Sequence, residues 1–199
     1  MLIEIAVFDG VDELDMMGPL EVLRNATKMG APFNVRLVTV DRQPMIRGAH
    51  GLQIVPDGTS DPKADILLFP GGGWIDRSDQ GVRAEVSGGR WSARIQQAAS
   101  SGTLLASVCT GAMMLAAAGL LTNRRATTHH GAWKDLEAAG AQLVRDRVVD
   151  DGDRVTAGGV TSGIDLGLYL VERFVSREMA ERIADELEYP TSTYAGRLS

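Results

Sequence analysis

The chain has 199 residues, 20 Lys and Arg against 26 Asp and Glu, a formal charge of −6 and 44% apolar residues. That length supplies the core of an ordinary globular domain. The acidic balance counts against nucleic acid as a partner, because phosphate binding needs a positive footprint, and no apolar run reaches the ~18 residues that would suggest a membrane span. The opening MLIEIAVFDG has no basic leader before its apolar residues, so no signal peptide is expected. A single cysteine cannot form an internal disulfide, which makes a reducing cytoplasm the expected compartment.

In chain order, LIEIAVF (2–8) reads as a strand, and FDGVDELDMMGPLEVL (8–23) is an acid-rich stretch that enters a helix. NVRLVTV (34–40), ADILLFP (64–70) and TLLASV (103–108) read as further strands. The last two are almost unbroken apolar, the pattern of strands covered on both faces. GRWSARIQQAASSG (89–102) repeats Trp91, Ile95 and Ala98 at helical spacing. TGAMMLAAAGLL (110–121) predicts a helix with Met113, Ala117 and Leu120 near one face. RRATTHHGAW (124–133) contains a short strand ending at His129, with His130 directed to the opposite side. VRDRVVDDGDRVTAGG (144–159) predicts a hairpin turning at Asp151-Gly152. TSGIDLGLYLVERFV (161–175) is a helix carrying Ile164, Leu168, Val171 and Val175, and Ser162 with Asp165 fits a capping box at its start. A last helix presents Met179, Ile183 and Leu187 and ends before Pro190; the tail TSTYAGRLS (191–199) has no periodicity.

Strands alternating with helices predict one α/β domain over residues 1–190, a flavodoxin-like three-layer sandwich around a mostly parallel sheet, with residues 191–199 as a C-terminal tail. Ligands of such sheets bind beyond the carboxyl ends of the strands. Four strand ends carry candidate chemistry. In SVCTG, Cys109 sits between a buried strand and a helix, with small residues at Ser107 and Gly111, the cysteine version of a nucleophile elbow. A helix N-terminus there favours thiolate over thiol, so a lowered thiol pKa is expected. The three glycines of FPGGGW let backbone N–H groups face the site, and Gly72 with the N–H of Thr110 is a candidate oxyanion-hole pair.

Asp15 lies between Leu14 and Met16-Met17, where desolvation would raise its pKa and suit it to move protons. Glu21 follows in the same helix as a possible partly buried accessory, and His129 is a candidate base within reach of Cys109. His50 lies in a loop without an assigned role. Three scattered histidines and one cysteine give no metal-ligand spacing, and the DDGD cluster lacks the calcium-loop pattern.

Together LDMMGPLEVL, FPGGGW, SVCTGAMMLAAAGLLTNRRATTHH and AGGVTSGIDLGLYLVE resemble the ThiJ/PfpI superfamily, part of the class I glutamine-amidotransferase-like fold, over about residues 2–190. The resemblance is strongest to its isocyanide hydratases and to the amidotransferase-like domain of AraC-type regulators. It implies Cys109 as nucleophile. It also implies an acid four residues before Pro19, here Asp15, in the aspartate form of the hydratases. Thr110 would hydrogen-bond Asp15 and supply an oxyanion N–H.

The implied reaction is hydration of an organic isocyanide to an N-substituted formamide through a thioimidate on Cys109. It needs no metal and no organic cofactor. Trp74 would line the pocket for the substituent, and Met113 is better read as core. A homodimer acting on a small molecule is implied, with neither nucleic acid nor membrane as partner. Two alternatives stand beside this reading: a glyoxalase or deglycase acting on reactive carbonyls, and a non-catalytic ligand- or redox-sensing domain.

Overall fold

A computed structural model describes residues 1–190; the tail expected at 191–199 lies outside the described residues. The strands are β1 (Leu2–Ala6), β2 (Asn34–Thr39), β3 (Ile46–Arg47), β4 (Gln53–Ile54), β5 (Gly58–Thr59), β6 (Ile66–Phe69), β7 (Leu104–Val108), β8 (Arg125–Ala126), β9 (Gln142–Leu143), β10 (Val148–Asp150) and β11 (Arg154–Ala157). The helices are α1 (Glu13–Lys28), α2 (Val82–Gly88), α3 (Ser92–Ser101), α4 (Ala112–Ala117), α5 (Trp133–Ala138), α6 (Ser162–Phe174) and α7 (Arg177–Glu186).

The main sheet runs β10-β11-β7-β6-β1-β2-β5. Every pairing in it is parallel except β10 with β11, which is the expected hairpin. Gly152 takes φ +85° in its turn, and its N–H donates to Asp150 Oδ1 at 2.7 Å. All four residues of β6 and all five of β7 are buried. Their near-continuous apolar sequence follows from cover on both faces. Helices α1, α6 and α7 pack on one another, while α2, α4 and α5 form a second group and α3 lies along β7.

The α1–α6 contact is made through glycines. A Cβ on Gly163 would lie 2.9 Å from Pro19 Cδ, and one on Gly167 would lie 2.7 Å from Val22 Cβ. A Cβ on Gly18 would lie 3.2 Å from the Ile164 nitrogen. The two helices therefore meet backbone to backbone where α1 carries Asp15.

Three local expectations give way. The capping box does not form at α6: the N-cap is Thr161, in helical conformation and without a side-chain cap bond. Asp165 instead accepts from Arg147 Nε at 2.8 Å and from Tyr189 Oη at 3.0 Å, since a buried carboxylate gains more from a guanidinium than from one amide. The helix expected over 110–121 begins in a 3₁₀ turn (Cys109–Gly111) and ends at Ala117. Met113 is buried as expected, but Ala117 is exposed. His129 does not end a strand, because β8 stops at Ala126.

Candidate active site

Cys109 sits where β7 passes into the 3₁₀ turn, and its φ of +56° is a conformation a cysteine holds only where its surroundings enforce it. Both backbone groups are gripped: its N–H donates to Gly158 O and its carbonyl accepts from Thr128 Oγ1, each at 2.7 Å. The sharp turn drives position 111 into the β6 end, where a Cβ would stand 2.0 Å from Phe69 O. Ser107 is fully buried and pairs in register with Phe69 on β6 and Thr156 on β11. The small residues flanking the elbow answer these contacts.

Asp15 arrives from the first turn of α1. Asp12 caps that helix, its Oδ1 accepting from Leu14 N at 3.1 Å and Asp15 N at 3.4 Å. Pro19 has no N–H to return to the Asp15 carbonyl, so the helical ladder is open at this point. The Asp15 side chain is fully buried; Oδ2 accepts the Gly71 N–H at 2.9 Å, and Oδ1 has no well-formed hydrogen bond. Gly71 cannot be larger, because a Cβ there would lie 2.7 Å from both Asp15 Oδ2 and the Thr110 nitrogen.

The Asp15 carboxyl and the Cys109 thiol shift each other's ionisation. Burial first, and the Asp12 charge second, push Asp15 up to about 7; interaction with the Cys109 thiol and the Gly71 N–H hold it lower than burial alone would. Burial first, and the neighbouring Asp15 charge second, push Cys109 up to about 12, against the opposing pull of the Val160 and Thr110 backbone N–H groups. This corrects the lowered thiol expected from a helix N-terminus. The helix after the elbow has only six residues, and burial against a carboxyl outweighs its dipole.

Thr110 is buried, and its Oγ1 accepts the Gly72 N–H at 3.1 Å. The oxyanion pair inferred from sequence is thus brought to the elbow, with the Gly72 N–H held by the Thr110 hydroxyl and the Thr110 N–H by sulfur. No hydrogen bond joins that hydroxyl to Asp15.

His129 lies near the elbow but is engaged elsewhere. Its Nδ1 accepts the Gly131 N–H at 3.0 Å, and its ring packs on Gly159, where a Cβ would stand 2.6 Å from Cδ2. Burial, then the neighbouring His130, lowers its pKa. A ring whose lone pair is already taken by a backbone donor does not present a free base to Cys109. His130 stacks on His129 with ring centres 4.2 Å apart, not on the opposite side as the sequence suggested.

Trp74 is also committed: its Nε1–H donates to Asp135 Oδ2 at 2.7 Å and Arg83 lies 4.5 Å over its ring, so it ties the glycine loop to α5. Glu21 is exposed and accepts from Asn25 Nδ2 at 3.3 Å, on a face of α1 away from Asp15, so the partly buried accessory role does not fit.

Sequence reasoning missed Val160, whose φ of +31° accompanies the turning of its N–H toward sulfur, and Gly158 and Thr128, which hold the elbow. The Gly-Gly before Val160 was the available signal. Sequence spacing also missed that Asp12, Glu13 and His50 bring ligand atoms within 4.8 Å of one another. Both acids have structural duties there: Asp12 caps α1, and Glu13 Oε1 accepts the N–H groups of His50 and Leu52 at 2.8 and 3.2 Å.

The sequence pattern of the DJ-1/PfpI family matches residues 1–173. The chain belongs to the DJ-1/PfpI family. Among DJ-1/PfpI relatives, it is 36% identical over 185 residues to an isonitrile hydratase of Pseudomonas putida, covering 92% of this chain and 76% of the relative. It is 32% identical over 116 residues to a deglycase of Pyrococcus horikoshii, covering 56% of this chain and 66% of that one. A crystal structure of a ThiJ/PfpI family protein from Pseudomonas syringae superposes with a TM-score of 0.82 at 29% identity, covering 94% of this chain and 74% of that one. Among the described residues no helix is long and apolar enough to cross a membrane.

Proposed function

We propose that this protein hydrates organic isocyanides to N-substituted formamides, with Cys109 as nucleophile and Asp15 as proton carrier. The observation that carries the reading is the buried Asp15 carboxyl beside the thiol, with its pKa near 7. Similarity to the isonitrile hydratase supports the choice of substrate.

Between about pH 7 and 12 the pair shares one proton, resting mostly on sulfur. As Sγ bonds to the terminal carbon of R–N≡C, Asp15 takes the thiol proton and delivers it to that carbon, giving the thioimidate R–N=CH–S. Asp15, again a carboxylate, removes a proton from water as its oxygen adds to the same carbon. The nitrogen takes that proton. The C–S bond then breaks, sulfur is reprotonated from the new hydroxyl, and R–NH–CHO leaves. The sum is one isocyanide and one water to one formamide.

Charge on the tetrahedral carbon's oxygen would be met by the Thr110 N–H and, once the Thr110 hydroxyl turns aside, by Gly72. The family resemblance points to a homodimer, which sedimentation would check.

The test is an activity panel of isocyanides and α-dicarbonyls on wild type and Cys109→Ala. Formamide formed by wild type and absent with Cys109→Ala supports the proposal. Consumption of dicarbonyls alone would replace it with the carbonyl-directed reading favoured by the deglycase relative.

A further inference from the structure

A cleft of about 340 Å³ is lined partly by residues that surround the elbow and partly by residues that the chemistry at Cys109 does not account for. Its lining includes Gly158, Thr128 and Val160, the residues that hold Cys109 or face its sulfur. Trp133 and Arg145 are a second group in the same lining. A short relay joins the two. Thr128 Oγ1 donates to the Cys109 carbonyl at 2.7 Å, Trp133 Nε1–H donates to the Thr128 carbonyl at 3.1 Å, and the Arg145 guanidinium stands 4.6 Å over the Trp133 ring.

Arg145 belongs to none of the ion pairs among the described residues. Arg147, in the same cleft, is held by Asp165 and by Thr161 Oγ1 at 3.0 Å. Asp146 also lines the cleft and has interactions of its own. A guanidinium stacked on an indole keeps its in-plane N–H groups directed outward, the geometry that receives a carboxylate. In a chain of net charge −6, a cation presented this way in the cleft beside the nucleophile is a recognition element.

We infer that Arg145 binds a carboxylate at the far end of a substrate whose reactive carbon lies at Cys109, so that the preferred substrates are small organic acids. This rests on the reading of Cys109 as nucleophile and names the substrate class for it.

The experiment uses the full chain and the one thiol in the sequence. N-iodoacetyl-β-alanine and its uncharged amide both deliver the same carbon to Sγ, which displaces iodide as the thiol proton passes to solvent. In wild type the acid-to-amide rate ratio is expected to be about tenfold higher than in Arg145→Gln, the scale of one partly exposed ion pair. Arg145→Lys keeps part of the preference, and high salt removes much of it. Equal ratios in wild type and Arg145→Gln overturn the inference.

A second arm compares ω-isocyano acids with their methyl esters; Arg145→Gln is expected to raise KM for the acid with kcat little changed. Charge-selective labelling without isocyanide turnover would sink the hydratase reading and leave the anion site standing. Isocyanide turnover without charge preference in either assay would do the reverse.

Discussion

Asp15 and Cys109 titrate far apart: burial and the Asp12 charge raise the carboxyl to about 7, and burial and the Asp15 charge raise the thiol to about 12. On the proposed reading the base of this pair is the carboxylate, and the sulfur stays a thiol until a substrate arrives. Activity is then expected to follow the ionisation of Asp15. kcat/KM is expected to rise with pH through about 7 and stay level through pH 9, where an enzyme governed by a free thiol would still be gaining near 8.5. A pH–rate profile, with thiolate absorbance recorded alongside, checks both groups. A thiolate midpoint below 8.5 contradicts the arrangement.

Asp15→Asn separates chemistry from stability. Turnover is expected to fall about a hundredfold or more, the scale of a lost proton-transfer group. The same change removes a buried carboxyl whose pKa is raised from 3.8 to about 7. Such a group favours folding fully only below its unfolded value. That contribution fades as pH rises through the folded one. The variant should thus match wild type near pH 4 and exceed it above pH 7, by up to about 4 kcal/mol. Urea melts at the two pH values measure the difference.

The elbow tolerates no side chain at position 111. Gly111→Ala places a Cβ against Phe69 O, a backbone atom that cannot swing aside. Loss of several kcal/mol, or failure to fold, is expected on the scale of severe core overpacking. Gly119→Ala, where a Cβ meets nothing within 4 Å but φ is +75°, is the milder control. Thermal melts of the two variants rank them.

His129→Ala is expected to change kcat by no more than a few fold, because Nδ1 serves the Gly131 N–H and the ring packs on Gly159 and His130. A loss of a hundredfold in steady-state assays would restore this histidine as a base.

The parts legible in the sequence are those whose cause is local or periodic. Strands β6 and β7 announce themselves because burial on both faces demands nearly unbroken apolar runs. The elbow announces itself because Gly111 has no room for a Cβ and Ser107 is enclosed between two strands. The short strands β3, β4, β5, β8 and β9 have two residues each, too few to show a period. The Ser162–Asp165 pattern misled because Asp165 answers to Arg147 and Tyr189, 18 and 24 residues away. The direction of the thiol shift was hidden because its largest cause is burial at the elbow, which tertiary packing sets, with the Asp15 charge second.

The donors that face this pair are main-chain amides: Gly71 to Asp15, and Thr110 and Val160 to sulfur. Truncating a side chain leaves such a donor in place, so an alanine scan would pass over Val160 as silent. Its contribution is exposed by backbone chemistry, through an amide-to-ester exchange at 160 or 110 that deletes one N–H and nothing else. By the same logic, the field around the sulfur is written in the path of the main chain, and the side chain of Val160 adds no donor to it.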